Sequence, residues 1–213
     1  MIQSVSFAVD GRELAGILHL PEGEPAGGAV VLHGYGGHPD QPHVVATCVA
    51  LAAVGVAALR FAYRDHEPPR MTLESGLADT AAALRLLAAH PAARQPFGVV
   101  GFSFGGAVAA LAAGRDHRLR WAVLAAAPAE FAGLRRPLVE VSRARADVLL
   151  IWGDRDTVVP VTNAERYATV LTQARVRHER ASIEGGDHDF APAASREAMT
   201  AAIAAFARRS LGR

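Results

Sequence analysis

The chain has 213 residues, 51% of them apolar and 20% charged, which is the composition of one folded domain and not of a disordered segment. Its 22 basic and 21 acidic residues leave a formal net charge of +1, so there is no electrostatic case for binding nucleic acid or an anionic membrane surface. All the basic side chains are arginine, which excludes a lysine Schiff base or a P-loop lysine, and the single cysteine, Cys48, cannot close an intramolecular disulfide. Two strands open the chain, Ser4 to Val9 and Glu13 to Leu20, around Asp10-Gly11, the dipeptide of a tight hairpin turn. A polar loop rich in Pro and Gly, 21–28, follows. From there short apolar runs alternate with longer Ala/Leu-rich ones: strand Ala29 to Leu32 and helix His43 to Val54; strand Val56 to Phe61 and helix Leu73 to Ala89; strand Phe97 to Phe102 and helix Phe104 to Ala113. Strands Trp121 to Ala126 and Val148 to Trp152, helix Val161 to Thr172, strand Arg177 to Ile183 and helix Ala193 to Arg209 complete the pattern.

Strands that are apolar throughout and separated by helices predict an α/β fold. The sheet is expected to be doubly wound and mostly parallel, with helices on both faces and the opening hairpin adding antiparallel strands at one edge. One domain over 1–213 is expected, with the Arg-rich stretch Ala129 to Ala146 as an irregular insertion and short flap. The N-terminus lacks the basic-then-apolar run of a signal peptide. The longest nearly apolar stretch, Val44 to Leu59, is shorter than the ~18–20 residues a bilayer requires. The expectation is a soluble, cytoplasmic protein.

In such a sheet ligands bind beyond the carboxyl ends of the strands, and the informative motifs fall there. Gly101-Phe102-Ser103-Phe104-Gly105 matches G-x-S-x-G between an apolar strand and an Ala-rich helix, the context in which a serine becomes an exposed nucleophile. A serine hydroxyl needs a base. His188, in a Gly-flanked loop between the last strand and the last helix, can supply it. His38 and His43 lie near the same rim and stay undecided, while His19, His66, His90, His117 and His178 read as surface residues. The base needs a carboxylate to orient it, and Gly153-Asp154-Arg155-Asp156 offers two that periodicity cannot separate. His33-Gly34-Tyr35-Gly36-Gly37, after the first parallel strand, brings flexible backbone to the site. The N–H groups of Tyr35 and Phe104 are the candidate oxyanion donors.

Taken in the order Ser103, Asp156, His188, these segments resemble the α/β-hydrolase superfamily over nearly the whole chain. Within it they are most similar to the small dienelactone-hydrolase and serine-esterase branch that lacks a large cap. His33 to Gly37 meets H-G-x-G-G, and Gly185, His188 and Phe190 meet G-x-x-H-x-F. The family's G-x-x-D-x-x-V-P maps onto Gly153, Asp156, Val159 and Pro160, and this selects Asp156 over Asp154. Two departures stand out. Dienelactone hydrolases usually carry a cysteine nucleophile where this chain has Ser103, which points to ordinary ester hydrolysis. The segment that often reads R-F-N-F-R-G is Arg60-Phe61-Ala62-Tyr63-Arg64-Asp65 here, with Asp65 where Gly is usual.

The resemblance implies hydrolysis of small carboxylic esters through an acyl-enzyme, with no metal and no cofactor. A thioesterase or acyltransferase would use the same residues, with Arg135 and Arg136 binding a carrier phosphate. A non-catalytic binding module would keep the fold alone. Loops 35–42, 62–72 and 129–146 would set the shape of the pocket. Cys48, Trp121 and Trp152 read as packing residues, and Phe102 and Phe104 as core or pocket wall.

Overall fold

A computed structural model describes residues 1–66, 70–134 and 136–212. The chain opens with a hairpin of β1 (Ile2–Val9) and β2 (Arg12–His19), paired from Val9↔Arg12 outward. Its turn residues Asp10 and Gly11 both have positive φ, 46° and 76°. That left-handed pair matches the twist of the strands it joins. The chain continues through β3 (Gly27–Leu32), α1 (Pro42–Ala53), β4 (Val56–Phe61), α2 (Leu73–Ala89), β5 (Phe97–Phe102), α3 (Phe104–Arg115) and β6 (Leu119–Ala125). Then come α4 (Arg136–Val141), β7 (Asp147–Gly153), α5 (Thr162–Gln173), β8 (His178–Ile183) and α6 (Ala193–Leu211).

The eight strands form one sheet in the order β1-β2-β4-β3-β5-β6-β7-β8. β3 through β8 run parallel, and β2 joins β4 antiparallel. β3, β4 and β5 are buried at every residue, because helices cover both faces. On one face α2, α3, α4 and α5 pack through residues such as Leu84, Leu87, Val108, Leu111, Val141 and Tyr167. On the other, α1 and α6 bury Val44, Cys48, Leu51, Met199, Ile203 and Phe206. Cys48, Trp121 and Trp152 are core residues, as expected, and burial pushes the Cys48 thiol up to about 12.

The expected irregular stretch 129–146 contains α4. This helix is only six residues long, too short for a periodic signal, and it docks where α3 is smallest. A Cβ on Gly114 of α3 would lie 1.9 Å from the Glu140 carbonyl oxygen. Glu140 in turn receives a hydrogen bond from Arg115 at 2.6 Å.

A second correction concerns His19, expected at the surface. It is buried, and its Nε2 accepts a hydrogen bond from Arg60 Nε at 3.0 Å. β2 lies inside the sheet between β1 and β4, so the last residue of a hairpin strand becomes an interior acceptor. No described helix is long and apolar enough to cross a membrane.

Candidate active site

Ser103 sits in the turn between β5 and α3 with φ 50° and ψ −117°, a conformation disfavoured for a residue with a side chain. The flanking glycines allow it. A Cβ on Gly101 would fall 2.0 Å from the Gly105 carbonyl oxygen, and one on Gly105 would fall 2.6 Å from the carbonyl oxygens of Leu32 and His33. The elbow is therefore wedged against the end of β3, and the Ser103 N–H is fixed by the Ala125 carbonyl at 2.8 Å. Ser103 is half-buried, and among the described residues its hydroxyl makes no hydrogen bond.

Asp156 and His188 are joined. His188 Nδ1 lies 2.9 Å from Asp156 Oδ2, and the other oxygen, Oδ1, accepts the N–H groups of Val158 and Val159, each at 2.9 Å. The carboxylate side chain is 1% exposed and the imidazole 15%. A carboxylate oxygen accepts, so Nδ1 is the ring nitrogen placed to donate to Asp156, and Nε2 is the one this contact leaves free. Asp154 is exposed and takes no part, which separates two carboxylates that periodicity left equivalent.

The loop carrying His188 is tied on several sides. Arg155 N–H bonds to the Gly186 carbonyl at 2.9 Å, and the buried Phe190 ring packs edge-on to Phe102 with centroids 6.5 Å apart. His43, on α1, is buried against the same Phe102 ring at 4.6 Å, and it hydrogen-bonds the backbone of Asp189. Burial lowers His43 to about 4, so it is neutral near pH 7. The neighbour of the serine and the neighbour of the histidine thus share one aromatic contact. His43 was undecided from sequence, since nothing in its helix shows what α1 packs against. His38 is exposed beside Asp40.

The loop after β3 is also braced. His33 is fully buried, with Nδ1 2.8 Å from the Gly34 carbonyl and Nε2 accepting from Tyr63 N–H at 3.4 Å. Burial lowers its pKa to about 4, so the ring is a neutral strut. Gly36 N–H points to Met71 Sδ at 3.1 Å, and the buried Arg60 holds the Pro39 carbonyl at 3.2 Å and the Asp40 carboxylate. The N–H groups of Tyr35 and of Phe104, the first residue of α3, make no hydrogen bond among the described residues. The Arg60, Met71 and His43 contacts carry no local sequence signal, because each partner lies in a different element. Phe104 is buried, and its ring meets Tyr35, Tyr63 and Phe131. Phe102 is buried as well.

Arg136 is ion-paired with Glu74, and Arg135 lies outside the described residues. Among the described residues no group of three or more His, Cys, Asp or Glu is arranged to hold a metal ion.

This sheet order, with a strained serine turn after β5, is the α/β-hydrolase fold. The chain belongs to the dienelactone hydrolase family, whose model matches residues 14–210, and it is by that membership a hydrolase. Among solved structures it is similar to Est1E from Butyrivibrio proteoclasticus, with 21% identity, a TM-score of 0.83 and 99% of each chain covered. The esterase domain of a Rhodothermus marinus protein aligns at 22% identity and TM-score 0.81, over 98% of this chain and 99% of that one. A dienelactone hydrolase from Anabaena variabilis aligns at 20% identity and TM-score 0.80, over 96% and 95%. No curated protein matches the sequence.

Proposed function

We propose that the protein is a serine esterase that cleaves small carboxylic esters through an acyl-enzyme on Ser103. The observation that carries this reading is the 2.9 Å Asp156–His188 pair, at the rim of the sheet where Ser103 occupies its strained turn. In this mechanism His188 Nε2 takes the Ser103 proton as Oγ attacks the ester carbonyl carbon. The oxygen of the tetrahedral intermediate becomes anionic and is met by the N–H groups of Tyr35 and Phe104. Each such donor is worth about 3–4 kcal/mol of barrier. His188 then gives its proton to the leaving alkoxide, and the carbon–oxygen bond to the alcohol breaks. Water, deprotonated by the same imidazole, attacks the acyl-enzyme and returns the hydroxyl to Ser103. Asp156 holds the imidazolium through both halves, and its two backbone hydrogen bonds keep it from turning away.

A fluorophosphonate probe tests the reading. It is expected to label the wild type stoichiometrically and to leave Ser103→Ala unlabelled, with p-nitrophenyl acetate hydrolysis lost in parallel. Equal labelling of both proteins, or none of the wild type, would overturn it.

A further inference from the structure

An open groove of about 510 Å³ lies beside the candidate oxyanion donors, lined by Tyr35, Met71, Leu73, Phe131 and Leu134, with Thr72, Glu74 and Ala132 completing its walls. Ser103 is not in its lining. What the groove shares with the proposed mechanism is Tyr35, whose backbone N–H is one of the two donors assigned to the intermediate. The Tyr35 ring packs on Phe131 at 5.6 Å and on Phe104, the residue after Ser103, at 5.9 Å. Phe131 and Phe104 close the triangle at 5.1 Å.

The far wall is a preformed turn. Phe131 and Leu134 exchange two backbone hydrogen bonds of 3.0 Å, and Ala132 and Gly133 between them take φ 49° and 74°. Opposite stands Met71, fixed by the Gly36 N–H. Tyr35 and Leu134 are 41% and 52% exposed, so apolar surface faces solvent on both sides of one slot. A larger hollow of about 610 Å³, lined by Met1, Ile2, His19 and Val49 among others, is remote from this loop and holds no nucleophile.

The charges of the groove are as informative as its walls. Glu74 is the one Asp, Glu, Arg or His among its described lining residues, and Arg136 is already paired with it. Among its described lining residues there is no cation, and the exposed side chain of Glu74 stands at the rim.

We infer that this groove, where Tyr35, Met71, Phe131 and Leu134 converge beside the oxyanion donors, receives the acyl group of a neutral ester. That acyl group is apolar and of medium size, aromatic or aliphatic, and does not carry a carboxylate. The inference rests on the Ser103 reading and narrows it from esters in general to one substrate class. Burying each methylene is worth about three- to fourfold in kcat/KM until the slot is filled.

The test uses p-nitrophenyl acetate, butyrate, hexanoate and 3-phenylpropanoate. It adds a matched pair, the p-nitrophenyl ester of glutaric acid with its second carboxyl free or methylated. A rise of at least tenfold from acetate to hexanoate or phenylpropanoate is expected, with at least a tenfold preference for the methylated glutarate. Phe131→Ala should flatten the chain-length rise. Leu134→Arg, at an exposed position that tolerates a charge, should narrow the preference within the glutarate pair. A wild type that is labelled by the fluorophosphonate probe, yet turns over acetate as well as hexanoate or favours the free acid, overturns the groove assignment and leaves the nucleophile standing. A wild type that is not labelled removes both.

Discussion

The Ser103 side and the His188 side of the candidate site are held by different means. The serine turn is held by absence: Gly101 and Gly105 have no side chain where a neighbouring carbonyl already stands, and the strand end and helix start are fused into one rigid piece. The imidazole is held by presence: a carboxylate from the loop after β7, a histidine from α1 and an aromatic ring from β5 each add a contact to a Gly-containing loop. If Ser103 is the nucleophile and His188 its base, as proposed, the one is held rigidly and the other by several weak contacts, and the two sides should fail differently when altered.

The largest effect belongs to the strongest contact on the base side. Asp156→Asn keeps shape and volume but can donate, so it favours the wrong imidazole tautomer. A loss of about 10³–10⁴ in kcat is expected, with the fold intact. Steady-state kinetics beside thermal melting check it, and a loss below tenfold would remove Asp156 from the orienting role.

On the serine side the corresponding change attacks the fold. Gly105→Ala places a methyl 2.6 Å from two backbone carbonyl oxygens that cannot both move. Destabilisation of about 3 kcal/mol, the upper end of what such overpacking costs, is expected and is read as a shifted urea midpoint. A soluble variant of unchanged midpoint would show that the wedge against β3 is looser than the geometry says.

Three buried groups give the comparison a pH axis. His33 and His43 brace the two sides, and burial lowers both to about 4. A depressed pKa stabilises the fold above the unfolded value near 6.5 and is lost as pH falls toward 4, about 3 kcal/mol for each ring. Asp79 opposes them. Buried under Arg64, it is pushed up to about 6 by desolvation, against the Arg64 N–H and guanidinium. Its contribution is complete below about 4 and disappears as pH rises through 6, also about 3 kcal/mol. Two rings outweigh one carboxyl, so net stability should fall by about 3 kcal/mol from pH 7 to 4. Asp79→Asn should steepen that fall, and denaturant titrations at four pH values decide it.

His43 tests whether the two sides are coupled through Phe102. His43→Leu keeps packing but loses the bond to the Asp189 backbone, and kcat should drop about tenfold with KM little changed. His43→Gln, which can still donate, should recover most of it. Equal losses in both variants would make the contact one of packing alone.

The two sides also differ in how far the sequence discloses them. The serine turn is a local object. G-x-S-x-G between an apolar strand and an Ala-rich helix states the strand, the turn and the helix within six residues, and the structure has each there. Strand alternation likewise disclosed the mostly parallel sheet and its antiparallel edge, because full burial removes the period-two signal that an exposed face would leave. The base side is assembled from afar. Asp154 and Asp156 look alike until the imidazole arrives from residue 188, and only resemblance separated them beforehand. His43, Met71 and Arg60 act across 146, 35 and 20–41 positions, as the separations to Asp189, Gly36, Asp40 and His19 show, and no window along the chain contains such pairs. His19 was misplaced for the same reason: its partner is on a strand that pairs with β2 only after the chain has passed through β3 and α1.

The smallest expected effect lies at Asp65, the last of three positions, with Ala62 and Tyr63, at which the segment after β4 differs from the R-F-N-F-R-G pattern of the resemblance. Asp65 stands where glycine is usual, but its φ is not positive, so the backbone there does not call for glycine. Its side chain pairs with Arg12 at 3.1 Å, and the arginine is 63% exposed. Such a pair is screened by solvent and salt and is worth at most about 1 kcal/mol. Asp65→Asn should therefore move the urea midpoint slightly, less still at high salt, and should leave kcat for acetate within twofold. A larger change in kcat would mean that the loop after β4 reaches the reacting atoms, which would join a third side to the two that the serine and the imidazole define.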